Sequence, residues 1–517
     1  MKRLAVAIVF CFLFAVSNAH VLYAIDTDPL GISNAVHGVF GAFGSNNDNA
    51  NQKVKHNTHK IKHNTHLVYE GYSKSFMPIR RLFMRGRLTQ VCRLYEKKDK
   101  KIMASCNKNR ACFIDKIGFL GSVERGSIFL DVGKPDKSVF FFTGAESVLK
   151  KHENWSEAHT VLSNVSSFIA QTVTGNDEIK PYYGTGYERV LMLNYKTIAF
   201  MLEGEKGKAY NVTRRAIEWQ EMERRRFEKK HKEVAKKLRE ESKKLNKKSV
   251  KGNIRKQIAD IYKHADIKAS EIASAYVNPF GYYMAGVIQE IKSLNDPSLI
   301  YNARISYKKA LQLNPKSKVI KSAVEDLSRR KSLPKDRKLI HIIINEGFAP
   351  AKKVATYYFV FGDAYIPIKL AVCNPVKEKP SYIVVKTLSG KKVTSLSPVA
   401  DIEAIVLRHQ KDMEPFVALR ITTTLLRYYL KRKLLNGALS TLTEAFAEPD
   451  TRSWMMLPRT ILGARFYLPK DVKKIMVVVY NRGHVVAKRV VNVHGDSPTF
   501  IYGIHVGKLL KLYNAAM

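Results

Sequence analysis

The chain has 517 residues, of which 45% are hydrophobic and 10% aromatic, and this composition excludes an intrinsically disordered polymer. Its length predicts two to four domains. The formal charge of +43, from 88 Lys and Arg against 45 Asp and Glu, favours an anionic neighbour.

Residues 1–19 have the three parts of a secretory signal peptide: a basic start, a short apolar run and small residues that end at Ala19. The run is too short to span a bilayer comfortably, and no later segment is apolar for long enough to do so. We therefore expect cleavage after Ala19 and an exported, periplasmic or cell-envelope protein. A lipoprotein is the alternative for Cys11, but Phe10 is bulky where a lipid-attachment site needs a small residue.

Residues 20–66 are predicted to be a flexible leader, since Gly, Asn, Ala and Ser recur there without a period. The leader ends in a duplication, Lys-x-Lys-His-Asn-Thr-His, over residues 53–59 and 60–66. A local duplication without a ligand is the simpler interpretation, and we predict no metal or cofactor. The alternative is a transition-metal site or a low-pH cationic stripe on one helical face, formed by His56, His59, His63 and His66.

Residues 67–330 carry small and aromatic side chains at helical spacing. In the stretch 278–315, a small residue every three to four positions lets two helices approach closely, and an aromatic residue fills the groove beside them. The residues concerned there are Gly286, Ala303, Tyr307, Ala310 and Pro315. Two further copies carry Gly126, Gly133 and Ala145, and Gly204, Ala209 and Ala216.

This spacing resembles the tetratricopeptide repeat, a helix pair of roughly 34 residues, although the turn SLNDPSL in 278–315 is about five residues longer. The resemblance implies an all-α solenoid, in which each helix pair covers the apolar face of the next. The predicted fold is thus α+β and multidomain: a helical-repeat domain at 67–330, a linker at 331–337 and a β-rich domain at 338–517.

Two tyrosine-rich segments are candidates for partner binding. The segment 180–189 has a Gly-x-Gly without the third glycine of a dinucleotide site, so it is predicted to lock onto the solenoid or to line its concave face. The second segment opens the first helix of the stretch 278–315. The candidate residues are Tyr182, Tyr183, Tyr187, Arg189, Tyr282 and Tyr283.

A long basic helix, with the arm at about 221–258, interrupts the repeats. Its large apolar residues form only a thin stripe that includes Phe227, Val234 and Leu238, so it is predicted to project as one arm of a helical hairpin. Its Lys and Arg residues leave contact with an acidic polymer or with membrane headgroups open.

Four cysteines follow the signal peptide, and Cys106 and Cys112 close the short loop CNKNRAC. In an oxidising compartment we predict a disulfide between them. A zinc site is the alternative, but the spacing is not that of a metal knuckle and no histidine lies nearby.

After Lys338 the period becomes strand-like, with β-branched runs at 339–344, 357–361, 382–385 and 474–479. Residues 481–484 predict a hairpin turn, and 415–446 an inserted helix. Near the end of this insertion, Asp450 and Arg452 are expected to pair and to pin a loop against the β-rich domain.

Four segments, 183–190, 278–283, 346–350 and 450–458, together resemble an uncharacterised family of exported bacterial proteins, often lipoproteins. The family has an N-terminal tetratricopeptide array and a C-terminal β domain. The resemblance implies an envelope location and no assigned catalytic residues. This chain departs from it in its basicity and in lacking a lipid-attachment cysteine.

The expected function is that of a non-enzymatic envelope scaffold, whose groove binds partner proteins. The alternative is a binder of anionic envelope polymer or of a membrane surface through the basic arm. An enzyme is the third possibility, but the sequence has no Gly-x-Ser-x-Gly, His-Glu-x-x-His or phosphate-loop motif.

Overall fold

The computed structural model describes residues 66–159, 181–244, 248–329, 334, 336–361, 364–434 and 448–517. These residues belong to one compact unit, Lys62–Met517. The predicted signal peptide and the histidine duplication, apart from His66, lie outside the described residues.

The part before residue 330 is helical. Its helices, in chain order, are α1 (Gly71–Met84), α2 (Leu88–Ala104), α3 (Arg110–Asp131), α4 (Pro135–His159), α5 (Gly186–Leu202), α6 (Lys206–Lys244), α7 (Lys248–Ala269), α8 (Pro279–Lys292), α9 (Leu299–Leu313) and α10 (Lys318–Arg329). Three helical hairpins, α3–α4, α5–α6 and α8–α9, pack one after another.

In two of these hairpins, α3–α4 and α8–α9, the two helices approach closely at a glycine. A Cβ atom placed on Gly126 would lie 2.6 Å from the Phe142 ring, and one placed on Gly286 would lie 2.6 Å from the Tyr307 ring. Each aromatic ring therefore lies directly over a glycine of the facing helix. The glycine and the aromatic residue are five residues further apart in α8–α9, which matches the longer turn.

In α5–α6 the equivalent positions are Thr197 and Thr213, whose hydroxyls are 3.1 Å apart. Gly133 and Gly204 end the first helices of their hairpins with φ of 77° and 76°, a conformation that favours glycine. The small residues that the spacing singled out are fully or nearly fully buried: Ala145, Ala209, Ala216, Ala303 and Ala310. Pro315 follows the end of α9 by two residues.

The part after residue 336 is mostly sheet. Its elements are β1 (Arg337–Glu346), β2 (Lys353–Phe361), β3 (Ala364–Val372), β4 (Tyr382–Lys386), β5 (Lys392–Ser395), β6 (Ser397–Asp401), α11 (Ile402–Asp412), α12 (Glu414–Leu434), β7 (Thr460–Pro469), β8 (Lys474–Asn481), β9 (His484–Asn492), β10 (Thr499–Val506) and β11 (Leu509–Ala516). The strands form sheets in the orders β11-β10-β1-β7-β6, β2-β3 and β5-β4-β8-β9.

Strand β1 explains how the layers are arranged. Ile340, Ile342 and Ile344 point into a core shared with the four-stranded sheet. The alternate residues His341 and Asn345 approach side chains of the helical layer. Because both faces of the strand are covered, its sequence is a continuous β-branched run instead of an alternating one. The molecule is therefore a helical layer on a five-stranded sheet, which in turn packs on a four-stranded sheet.

The apolar stripe of the long basic helix α6 is covered by another helix. The stripe that the sequence assigns to it packs on α12, where Phe227 and Val234 contact Phe416 and Leu419. Helix α7 packs on α11 and β2, and its Ile258 and Tyr262 share an apolar cluster with α12. The sequence predicts that the arm projects from the repeats as a helical hairpin. In the structure, helix α12 covers the apolar stripe of the arm. A narrow apolar stripe can pack on any other helix, so it does not by itself indicate a projecting hairpin.

The α+β class is confirmed, with helices first and sheets in the C-terminal part. The hairpins agree with the predicted helix pairs, and their identity as tetratricopeptide repeats stays a prediction.

Replacing Gly286 with alanine should destabilise the protein by about 1–3 kcal/mol, because the new methyl group overlaps the Tyr307 ring. Gly207→Ala in α6 is the matched control, since nothing lies within 4 Å of the added Cβ. It should stabilise the helix by up to about 1 kcal/mol. Urea unfolding of both variants measures the difference, and equal effects would contradict the close approach.

Candidate functional site: a captured loop and a basic helical face

The loop at 450–459, which we call the captured loop, lies against the helical layer. Glu188 of α5 accepts the backbone N–H of Trp454 at 2.7 Å. Glu124 of α3 accepts those of Met455 and Met456 at 2.5 and 3.0 Å. Both carboxylates are buried, so the helices satisfy three backbone donors that the loop could not satisfy itself.

Trp454 anchors this loop in the helical layer. Its side chain is 2% exposed, and its indole N–H donates to the Ser127 hydroxyl at 3.0 Å. The ring packs on both Phe142 and Tyr195, with centroid separations of 6.0 and 5.5 Å. A buried indole with its N–H satisfied is a strong anchor, since it combines a large apolar area with a directional bond.

Arg80 joins the captured loop to helix α1. Its guanidinium donates to the carbonyls of Met455 and Ala349 at 2.6 and 3.0 Å. Burial lowers its pKa to about 10, against the opposing effect of the Glu124 carboxylate. Arginine therefore remains charged and holds the carbonyl side of the loop.

Asp450 and Arg452 pair within the loop, with the Arg452 side chain 2.9 Å from both carboxylate oxygens. Lys352, which precedes β2, donates to the carbonyls of both residues. Asp450 and Arg452 therefore pair as expected, and Lys352 fastens this end of the loop to the sheet part of the chain. The following residues, Trp454 and Met455, bind instead to the helical layer. The loop thus connects the sheet part to the helical part.

The predicted partner-binding residues of the first segment make contacts within the protein, and Tyr182 is the one that also contacts the captured loop in the described structure. The Tyr182 hydroxyl donates to Glu188 at 2.6 Å. Tyr183 stacks on His152, with ring centroids 3.8 Å apart. Tyr187 is buried. Arg189 is paired with Glu223 and also donates to the Gly184 carbonyl. These side chains are engaged inside the protein.

The second pair of candidates lies elsewhere. Tyr283 is buried, and a Cβ placed on Gly463 of β7 would lie 3.2 Å from its hydroxyl oxygen. Tyr282 is half-buried, with the Lys309 ammonium 5.7 Å from its ring centroid. Of these candidates, Tyr182 contacts both Glu188 and the captured loop, the latter through Arg452, whose guanidinium lies 5.2 Å from the ring centroid. Tyr187 contacts His409 and Arg189 contacts Glu223, and Tyr282 and Tyr283 lie elsewhere.

A second buried polar chain links α3 to the sheet. The Tyr502 hydroxyl donates to Asp131 at 2.6 Å, the Asn345 amide donates to Tyr502 at 2.8 Å, and the Tyr195 hydroxyl donates to Asn345 at 3.0 Å. Burial raises the pKa of Asp131 to about 7, although the Tyr502 hydroxyl favours the charged form. Near neutral pH this carboxyl is partly protonated.

A third polar cluster joins α8 to β7 and β1. Arg465 donates to both carboxylate oxygens of Glu290 and to Asp326. His341 lies 3.2 Å from Glu290. Burial opposes ionisation of Glu290, but Arg465 and His341 hold its pKa at about 2. Arg465 compensates the buried Glu290 carboxylate, which suits a structural role at the interface of helices and sheet.

The first two helices carry an exposed cationic surface, which we call the basic face. Residues 71–110 contain twelve Lys and Arg and only two acids, Glu96 and Asp99. Both acids are taken by cations of other helices: Glu96 by Lys134 and Lys137, and Asp99 by Arg125. The basic face comprises Arg81, Arg85, Arg87, Arg93, Lys97, Lys100 and Lys101, which are exposed and form no ion pair within the described part of the chain.

Helical periodicity explains why the cations of α2 point outward. The buried residues Leu88, Val91 and Tyr95 repeat every three to four positions, and the basic residues occupy the opposite side of the helix. At the end of α2, a disulfide joins Cys106 to Cys112 with Cα atoms 5.7 Å apart. It ties the end of α2 to the start of α3.

Helix α6 has more basic residues but also more internal pairing. Glu221 binds Arg224 and Arg225, Glu228 binds Arg224, and Glu223 binds Arg226. Since these acids lie on the same helix, the arm carries less uncompensated charge than its lysine and arginine content suggests. The sequence prediction placed the anion-binding surface on the arm and did not include the basic face, although the excess of Lys and Arg in residues 71–110 is a signal for it.

Within the described residues, no group of three or more His, Cys, Asp or Glu side chains is placed to hold a metal ion. No helix in the described ranges combines the length and the apolar character that crossing a membrane requires. Comparisons with family models, with curated proteins and with solved structures find no match to this chain.

The Asp131 carboxyl predicts a pH effect on stability. Its folded pKa lies above that of an unfolded aspartate, near 3.9, so the folded state binds the extra proton and its advantage is lost as pH rises through about 7. The stability of wild type relative to Asp131→Asn should fall by about 1.4 kcal/mol per pH unit between about pH 4 and 7 and then level off.

Urea unfolding at a series of pH values measures this difference. The variant retains an oxygen to accept the Tyr502 hydroxyl. Asp115→Asn, at an exposed carboxylate paired with Lys151, is the control. A difference between wild type and Asp131→Asn that stays constant over this range would contradict the proposed proton uptake.

Proposed function

We propose that this chain is a non-enzymatic binding protein of the cell envelope that holds an anionic polymer on its basic face. The observation that carries the proposal is the set of seven exposed cations between Arg81 and Lys101 that lack ion pairs in the described structure. Closely spaced cations without counter-charges release bound counterions when a polyanion takes their place, and this release supplies affinity.

The surroundings of these cations favour a polymer over a membrane. A helix that lies in a membrane interface needs an exposed apolar side next to its basic side. In α2 the apolar side, with Leu88, Val91 and Tyr95, is buried within the protein, and Leu94 is a single exposed apolar side chain among the cations. The exposed side presents Arg93, Lys97 and Lys101, a pattern suited to a chain of phosphate or carboxylate groups.

The proposed architecture is a short tetratricopeptide-like solenoid. The glycine-to-aromatic contacts at Gly126 and Gly286, and the burial of the small residues, support this identity. The exported location is likewise a proposal, supported by the signal-like N-terminus and by the Cys106–Cys112 disulfide.

The position of the predicted partner-binding tyrosines favours the polymer site over a protein-binding groove. Tyr182 and Tyr187, expected at a groove for partner proteins, donate to Glu188 and lie buried against His409, respectively. A partner would have to displace these internal contacts to reach them, whereas the cations of the basic face are exposed. A scaffold role then requires another surface.

The test neutralises three cations of the basic face, Arg93→Gln, Lys97→Gln and Lys101→Gln, in one variant. Inorganic polyphosphate is the polymer probe, and vesicles with a quarter of anionic lipid are the membrane probe. We expect polyphosphate binding to weaken and the slope of log affinity against log salt to fall by about two to three, since about one counterion is released per contact.

The matched control removes the same charge from exposed lysines of α6, with Lys229→Gln, Lys232→Gln and Lys236→Gln. It should retain nearly wild-type affinity. Equal losses in the two variants would mean that net charge alone attracts the polymer. Binding to vesicles without binding to polyphosphate would contradict the choice of a polymer.

A further inference from the structure

The four-stranded sheet has an outer face that is partly open: Tyr382, Val485 and Val490 are half exposed, whereas Val384 and Val478 in its middle row are buried. Its inner face, with Ile383, Val385, Ile475, Val477 and Val479, fills the core between the sheets. On the outer side lies an open groove of about 500 Å³, lined by Lys386, Met476, Val478, Tyr480, Val486 and Lys488 among others. An uncovered groove with an apolar floor marks an interaction surface.

Strand pairing sets out this face as three rows across β4, β8 and β9. The rows are Lys386–Met476–Val490, Val384–Val478–Lys488 and Tyr382–Tyr480–Val485. Residues directly opposite one another in antiparallel strands share a face, so seven apolar or aromatic side chains lie together with two lysines. Val485, Val490 and Tyr382 are each half exposed, at 53%, 53% and 50%.

The charge of this sheet is one-sided. Residues 382–395 and 474–492, which form its four strands and their turns, contain seven Lys and Arg and no Asp or Glu. Lys386 and Lys392 donate to the hydroxyls of Tyr480 and Tyr382, both at 2.9 Å, in place of carboxylates. A complementary surface must therefore be apolar in the middle and acidic at its edges.

The dimensions favour a helix. Lys386 and Lys488 lie two strands and one row apart, which is roughly 12 Å at the usual spacings of a sheet. An α-helix with its side chains is about 10–12 Å across. A helix lying along β8 would place apolar residues on the partly exposed Met476 and Tyr480 and acidic residues near the two flanking lysines.

We propose that the outer face of the β4–β8–β9 sheet is a docking site for an amphipathic acidic helix of a partner protein. A second copy of this chain is disfavoured, since it would bring one basic sheet against another. The site is distinct from the basic face in sequence and in chemistry, because its floor is apolar. It gives the protein a second surface, by which an envelope partner could be held beside the polymer.

The test uses the full chain and a synthetic acidic peptide of about four helical turns, with leucines on one face and glutamates on its flanks. A peptide of the same composition in scrambled order is the comparison. Fluorescence anisotropy should show at least tenfold tighter binding of the amphipathic peptide to wild type. Lys386→Glu with Lys488→Glu should lose at least tenfold of that affinity.

Val490→Glu should lose a similar amount by placing a charge on the apolar floor, and because Val490 is half exposed, it should leave folding intact. Lys229→Glu with Lys232→Glu in α6 makes the same change in net charge and should bind the peptide normally. Equal binding of the scrambled peptide, or an equal loss in the α6 control, would overturn the proposal in favour of unspecific attraction.

Two further measurements separate this site from the polymer site. The variant Arg93→Gln, Lys97→Gln, Lys101→Gln should bind the peptide like wild type, and Lys386→Glu with Lys488→Glu should bind polyphosphate like wild type. Loss of both ligands in either variant would overturn the separation of the two surfaces. A self-associating wild type, with association abolished by Val490→Glu, would identify a second copy as the occupant and contradict the proposal.

Discussion

Two buried carboxylates, Glu124 and Glu188, set the relation between the helices and the sheets. Backbone N–H groups of the captured loop supply three of their hydrogen-bond donors. Tyr72 donates in addition to Glu124, and Tyr182 and the Thr185 N–H donate to Glu188. A buried carboxylate without such donors would be costly, and loop donors without acceptors would be equally so. Each side therefore requires the other, and the helical part and the sheet part form one compact unit.

The same requirement explains the composition of the central sheet. Its helix-facing side carries His341, Asn345 and Arg465, each matched by a polar residue of a helix or of a neighbouring strand. Its other side is aliphatic and packs on the second sheet. Specific polar contacts thus fix the orientation of the layers, while apolar burial supplies most of the driving force. With the interior occupied in this way, binding functions are left to the outer surfaces.

Local patterns gave much of the fold. The β-branched run of β1, the Arg482-Gly483 turn of β8–β9 and the spacing of Gly286 and Tyr307 are all signals read over short distances. The captured loop could not be foreseen, since the carboxyl groups that accept its N–H groups are 266 to 332 residues away along the chain. The covering of α6 by α12 was equally hidden, because a thin apolar stripe does not identify its partner. The sequence singled out Tyr182, but its contact with Glu188 inside the protein could not be predicted from the local pattern.

Hydrogen exchange of the intact chain, followed by mass spectrometry, tests the coupling of helices and sheets most directly when wild type is compared with Glu188→Gln. The substitution replaces one accepting oxygen by an NH₂ group that faces other hydrogen-bond donors, so the free energy of unfolding should fall by about 2 kcal/mol. If the captured loop unites the molecule, exchange should accelerate together in α5, β1 and β10. Acceleration confined to α5 and the loop, with β1 and β10 unchanged, would contradict the account.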